Sequence, residues 1–174
     1  MRTIRIGRAL GALAAAALAW TAPAAGQETR TGPSGLPVPR WISLKFERVN
    51  ARAGPGDDHR LLWVYRVRGL PVQVIQETAD WRRVCDPDGG LAWVHKRVTD
   101  GRRMAMNLNA SAVPLLAQPR GGAETRALWV ARSLGELDQC RGAWCQVKVE
   151  GESGWARRDQ LWGGREGPVC RRPG

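Results

Sequence analysis

Two tryptophan-bearing stretches decide the fold: DWRRVCDPDGGLAWVHKRV at 80–98 and AWCQVKVEGESGWARRDQL at 143–161. Trp81 and Val84 fall on Trp144 and Val147 at an offset of 63 positions, and Trp93 falls on Trp155 at 62, so one turn residue differs. Upstream the match continues. Leu62-Trp63-Val64 leads into the first stretch as Leu128-Trp129-Val130 leads into the second, and Val74 and Leu137 each stand seven residues before their tryptophan. A period of this length is the mark of a duplicated small domain.

Each copy reads as about five short strands. Cys145, Val147 and Val149 alternate with Trp144, Gln146 and Lys148, the period of two of a half-buried antiparallel strand. DPDGG at 86–90 and EGES at 150–153 are hairpin turns, where Gly takes the positive φ that other residues adopt at a cost. A unit of roughly 60 residues buries only about 60% of its unfolded surface, so extra stabilisation is expected from tryptophan and cysteine. Trp63, Trp93, Trp129 and Trp155 have strand neighbours on both sides and are expected in the core, each with a partner for its indole N–H. Trp81 and Trp144 are expected to be partly exposed. Each shares a strand face with a cation, Arg83 in the first copy and Lys148 in the second, and these four form the candidate ligand-binding set; the candidate site is a groove between the two domains, flanked by Trp81, Trp144 and nearby arginines.

Export signals precede the repeat. Arg2, Arg5 and Arg8 stand before an apolar run from Ala9 to Ala19, followed by the small residues APAAG at 22–26, the order of a secretory signal peptide. The run is about eleven residues, short of the roughly 20 that a bilayer requires, so cleavage near Ala24 to Gly26 is expected, leaving no stable membrane span. The expected location is periplasmic or secreted. The full chain carries a formal charge of +11, and removal of residues 1–26 leaves about +8. Only Lys45, Lys96 and Lys148 of the 27 basic residues are lysines, a bias that a GC-rich genome produces as readily as function does. A basic domain otherwise suggests nucleic acid, but an exported protein meets little of it. No nucleic-acid partner is therefore expected, and anionic envelope polymers, lipid headgroups or acidic proteins fit better.

Four cysteines in an exported chain suggest two disulfides among three possible connectivities. Cys140 and Cys145 bracket a four-residue connection between strands, a spacing that can bring their Cα atoms within 4.4–6.8 Å. Cys85 and Cys170 remain as the second pair. The cysteines lack the C-x-x-C spacing of a zinc site, so no metal or cofactor is expected. A Cys85–His95 nucleophile pair would need a third group to orient the imidazole, and no oxyanion hole or nucleophile motif accompanies it. Asp57-Asp58 and Asp86 to Asp88 sit in turn sequence, which accounts for them. No catalytic residues are assigned.

VNARAGPG at 49–56 resembles the opening signature of bacterial Src-homology-3-like domains, a short strand with an Asn and an Arg running into a Gly-Pro turn. LPVQVIQETADWRRVCDPDGGLAWVHKRVTDGRR at 70–103 is similar to the strands and distal hairpin of that family, in its exported, tandem-domain alphaproteobacterial type. LDQCRGAWCQVKVEGESGWARRDQLWG at 137–163 resembles that type's second domain, including the Cys-x4-Cys bracket. The second copy departs at VPLLAQPRG, 113–121, where Leu116 and Gln118 replace the signature's Arg and Gly. Cys85 stands where a basic or polar residue would be expected. The resemblance implies an all-β fold: two tandem small antiparallel β-barrels after a signal peptide, with binding loops and no catalytic machinery.

The resulting layout is a signal peptide at 1–26, a polar lead at 27–40, a first domain at 41–100, a linker at 101–111, a second domain at 112–163 and a tail at 164–174. Met104, Met106 and Leu108 alternate in the linker, so it is expected to dock as a strand and fix the two domains together. The expected function is that of a non-catalytic envelope binding module whose partner is cell-wall peptidoglycan peptide or an envelope protein. The alternative is a structural or interaction subunit of an envelope complex with no small ligand.

Overall fold

The computed structural model describes residues 30–165, 167, 169 and 170; the signal-peptide reading of residues 1–26 lies outside them. A short hairpin of β1 (Arg30–Thr31) and β2 (Pro37–Val38) comes first. The first sheet is built from β3 (Arg40–Leu44), β4 (Val49–Arg52), β5 (Leu61–Tyr65), β6 (Pro71–Glu77), β7 (Trp81–Cys85), β8 (Leu91–His95) and β9 (Thr99–Asp100). The second contains β10 (Met104–Asn107), β11 (Val113–Leu116), β12 (Thr125–Trp129), β13 (Leu134–Arg141), β14 (Trp144–Val149), β15 (Glu152–Arg157) and β16 (Leu161–Trp162).

The repeat in the sequence is a repeat of topology. Strand order is β5-β4-β8-β7-β6-β3-β9 in the first sheet and β12-β11-β15-β14-β13-β10-β16 in the second, the same arrangement strand for strand, with antiparallel pairing throughout. Even the irregularities recur: the register slips between Ala51 and Arg52 in one copy and between Leu115 and Leu116 in the other. Residues 101–111, expected as a linker, carry β10, which holds in the second sheet the place of β3 in the first.

Turn chemistry agrees with the sequence. Gly89 and Gly151 lie at φ 84° and 94°, and Glu150 joins Gly151 in the left-handed region at φ 50°, the pair of positive φ values of a tight hairpin turn. Asp86 does more than turn the chain. One carboxylate oxygen accepts from the N–H groups of Asp88 and Gly90 at 3.0 and 2.7 Å, and the other accepts from the Tyr65 hydroxyl at 3.0 Å in the interior. Burial, with the Asp86 charge beside it, pushes the Tyr65 hydroxyl pKa well up.

Each sheet buries one face. Val49, Ala51, Val72, Val74, Val84 and Val94 form the centre of the first core, and Val113, Leu115, Trp129, Leu137, Val147 and Leu161 that of the second. Of the four tryptophans expected inside, Trp93, Trp129 and Trp155 are buried and Trp63 is partly buried against the first core. Among the described residues the Trp129 indole N–H has no hydrogen-bond partner, unlike the general expectation for a buried indole.

The cores are joined rather than separate. Along β10, Ala105 enters the second core while Met106, and Leu108 beyond the strand, pack into the first. Trp162 of β16 is buried in the first core, donates its indole N–H to the Pro71 carbonyl at 2.7 Å and meets the Trp41 ring edge-on at 4.9 Å. At Gly163, φ is 94° and a Cβ would lie 2.3 Å from the Met104 carbonyl oxygen, so only glycine fits behind this tryptophan. The tail then crosses back onto the first sheet. Trp41 donates to the Arg165 carbonyl at 2.8 Å, the Gln73 amide donates to the Gly167 carbonyl at 2.7 Å and accepts from Val169 N–H at 3.0 Å, and Cys170 is bonded to Cys85.

The second disulfide joins Cys140 to Cys145 with Cα atoms 4.0 Å apart, closer than the anticipated window because the two oppose each other directly across β13 and β14. Sixty-three positions earlier, the corresponding cross-strand pair is Glu77 and Arg82. One copy closes this hairpin with a covalent bond and the other with charge.

The two crosslinks should differ in strength. By chain-entropy reasoning, a bond across 5 positions stabilises by about 2 kcal/mol and one across 85 by about 4–5. Cys85→Ser/Cys170→Ser is therefore expected to lower the melting temperature more than Cys140→Ser/Cys145→Ser; an equal or opposite order in thermal unfolding would contradict it.

Candidate functional site

The joint between the domains leaves an open cleft of about 350 Å³. Its walls come from both sheets: Arg40, Trp41 and Gln73 on one side, Arg103, Asp138 and Gln139 on the other, with Arg158 and Arg165 at its end. Cations predominate among the described lining residues, and Asp138 is the one carboxylate. A second cleft of about 460 Å³ continues from it along the second sheet, sharing Arg103, Leu137 and Asp138 and adding Arg102, Glu136, Gln146, Lys148 and Ser153. These volumes are in the range of small-ligand and peptide sites.

The groups in the joint are held from behind. Arg103 donates to the Gly163 carbonyl at 3.0 Å, Arg165 donates to the Asp159 carbonyl at 2.6 Å, and the Trp41 ring is fixed by Trp162 and by its bond to the Arg165 carbonyl. Arg40 is fixed by Glu77, whose side chain is 1% exposed. Glu77 accepts from Arg40 at 2.5 Å, from the Ser34 N–H at 3.0 Å and from the Ser34 hydroxyl, and Arg82 stands 3.7 Å away. Gly32 is required above it, since a Cβ there would fall 2.1 Å from the Glu77 carboxylate. Residues 30–38, within the segment expected as a polar lead, are thus a hairpin clamped over a buried acid.

The four residues proposed from sequence do not line one groove. Trp81 borders a cleft with Arg48, Asn50, Arg52, Asp57 and His95; Arg83 borders another beneath the β1–β2 hairpin; Lys148 lies in the second-domain cleft; Trp144 lines none of these. Trp81 is buried at 9% exposure rather than partly exposed, because the His95 ring packs against it at 5.2 Å from the neighbouring strand. Trp144 is partly exposed, and its cation is Arg157, 5.6 Å from the ring and directly opposite on β15. In each copy the tryptophan's ring partner therefore comes from across the sheet. The groove between the domains takes its aromatic wall from Trp41, which the sequence reading did not single out. Its bonding partners are 121 and 124 residues away, so no local pattern announces it.

The signature segment of the first copy closes on itself. Arg52 donates to the His59 carbonyl at 2.9 Å and pairs with Asp57 at 3.3 Å, while His59 packs where a Cβ on Gly54 would lie. Leu116 replaces that arginine in the second copy. The bacterial SH3 domain model matches the chain twice, over residues 45–101 and 109–163. The chain belongs to the bacterial SH3 domain family. No curated protein matches it. Among solved structures it is similar to NlpC1 and NlpC2 of Trichomonas vaginalis, each at 13% identity and a TM-score of 0.33. The match covers 76% of this chain and 48% of NlpC1, and 72% of this chain and 48% of NlpC2, so the chain spans about half the length of those proteins.

In this bacterial SH3 pair, Cys85 is held in a disulfide and so carries no thiolate beside His95. Among the described residues no group of three His, Cys, Asp or Glu side chains converges as a metal site, and no helix is long and apolar enough to cross a membrane.

The Glu77 clamp has a pH signature. Burial raises a carboxyl pKa, but the hydrogen bonds from Arg40 and Ser34 outweigh it and hold Glu77 below its ordinary 4.5. A depressed native pKa means that the stabilisation is fully present above 4.5 and is lost as pH falls through the native value. Glu77→Gln should cost about 2–3 kcal/mol at pH 7, and the gap to the parent protein should narrow below pH 4.5 in denaturant titrations. A gap independent of pH would refute the clamp's charge character.

Proposed function

We propose that this protein is a non-catalytic binding module of the cell envelope, which recognises peptidoglycan peptide through the cleft at the domain joint. Family membership supports a binding role, and the two disulfides support an oxidising compartment outside the cytoplasm. The observation that carries the reading is the fixed set of guanidinium groups around Trp41. Peptide carboxylates suit guanidinium geometry, and an aromatic face beside them suits the apolar parts of a short peptide. The small antiparallel barrel of the family serves as the rigid frame for the walls.

The test is retention on purified peptidoglycan sacculi at low and high salt. Arg165→Ala and Arg103→Ala together remove two cations that line the cleft, and the paired control, Arg120→Ala with Arg126→Ala, removes the same charge elsewhere on the second domain. Binding that persists in high salt and falls about tenfold or more in the cleft variant alone supports the reading. Equal losses in both variants mean charge attraction only. Absence of retention removes peptidoglycan as the ligand and leaves the envelope-protein alternative.

A further inference from the structure

The duplication supplies an internal comparison. In the first sheet, Trp41, Gln73, Cys85 and Leu91 form one cross-strand row, with Trp41 opposite Gln73, Gln73 opposite Cys85 and Cys85 opposite Leu91. The tail lies over this row: Trp41 donates to the Arg165 carbonyl, Gln73 holds both the Gly167 carbonyl and the Val169 N–H, and Cys85 is bonded to Cys170. The first domain thus carries a peptide segment on its sheet, read through main-chain hydrogen bonds and one side chain.

In the second sheet the corresponding row is Met104, Glu136, Lys148 and Ser153, again in direct register. Glu136, Lys148 and Ser153 line the 460 Å³ cleft, and no described residue lies over Glu136 and Lys148 as the tail lies over Gln73 and Cys85. All four positions of the row differ between the copies, among them the three that touch the tail in the first copy. Gln73 corresponds to Glu136, and Cys85 to Lys148, which is exposed. Arg102 and Arg103 border the same cleft, so that with Lys148 three cations face the two carboxylates Glu136 and Asp138.

We infer that the row Glu136–Lys148, with Ser153 bordering it on β15, is a docking site for an extended segment of a partner protein, laid across β13 and β14 as the tail is laid across β6 and β7, with a carboxylate side chain at the position that Cys170 occupies there. Glu136 accepts a main-chain N–H, as the Gln73 side-chain oxygen Oε1 does from Val169. Lys148 takes the place of the cystine with a charge pair, and Arg102 and Arg103 favour an acidic segment over a basic one. Lys148, one of the four residues chosen from sequence, becomes the specificity determinant. The inference rests on the reading of this protein as a binding module but not on peptidoglycan as its ligand.

The probe is a synthetic, end-blocked, fluorescein-labelled peptide of residues 165–170 carrying Cys170→Glu, titrated with the oxidised mature protein by fluorescence anisotropy. The same peptide carrying Cys170→Lys is the comparison. Lys148→Glu lies on the exposed surface, and its melting temperature reports whether the fold is intact. The parent protein is expected to bind the Glu peptide about tenfold or more tightly than the Lys peptide, and Lys148→Glu to reverse that order. Ser153→Trp, which fills the cleft, should weaken both. Absence of binding by either peptide, or a preference that Lys148→Glu does not change, overturns the inference. Sacculus binding without peptide binding leaves the proposed function standing and this inference refuted; the converse result separates them the other way.

Discussion

The indole of Trp162 is the piece on which the architecture depends. It belongs by hydrogen bonding to the second sheet, yet it is buried in the first core, donates to the Pro71 carbonyl and braces the Trp41 ring. Units of roughly 60 residues have too little interior to be robust alone, and here the first core is completed by Met106 and Trp162 of the second sheet. With Trp41 fixed, the tail has a first anchor at the Arg165 carbonyl, and Gln73 and Cys85 hold it further along at Gly167, Val169 and Cys170. The chain beyond β16 therefore acts as a strap, and the strap together with Trp41 forms one wall of the joint cleft.

The two copies show which positions the fold constrains. Val74 and Leu137, and Val84 and Val147, remain apolar at a spacing of 63 because they fill the two interiors. At the end of the same hairpin, Glu77 opposite Arg82 and Cys140 opposite Cys145 are chemically unlike solutions to one problem. Both hold the strand ends together, but the ion pair does so only because Arg40 and Ser34 supply the hydrogen bonds that a buried carboxylate requires. The disulfide needs no such support. This explains why the N-terminal hairpin packs against the first domain, where Gly32 and Ser34 cover Glu77.

Most of the fold was legible from the sequence because its signals are local. Alternation along CQVKV, glycines in the turns and the spacing of the tryptophans act within a few residues, and Cys140 and Cys145 sit across a hairpin that those signals define. What remained hidden acts over long separations. Trp41 gave no sign of its role, since the partners of its indole, the Trp162 ring and the Arg165 carbonyl, lie more than a hundred residues downstream. The alternation of Met104, Met106 and Leu108 marked a docking strand, but not that Ala105 on its other face completes a different core. Alternation assigned Trp81 to a face without revealing that a histidine ring covers it from the next strand. For Trp144 the same reasoning chose Lys148, two positions past its neighbour Gln146 along one strand, whereas the cation that meets the ring is the cross-strand residue Arg157.

A joint built this way has a consequence for binding. A cleft between loosely tethered domains has to be closed by its ligand, which spends part of the contact energy on ordering the two halves. Here the halves share apolar side chains, an indole-to-carbonyl bond and a disulfide across 85 positions, so the walls are set before any ligand arrives. Rigid placement of charged groups matters most for guanidinium, because its two-point recognition of a carboxylate is lost when the donor wanders. Arg165 illustrates the coupling: its carbonyl anchors the strap on Trp41, while its guanidinium is held by the Asp159 carbonyl at the end of the cleft. The same residue that closes the architecture presents charge to the site, and so the stability of the joint and the geometry of recognition are one property.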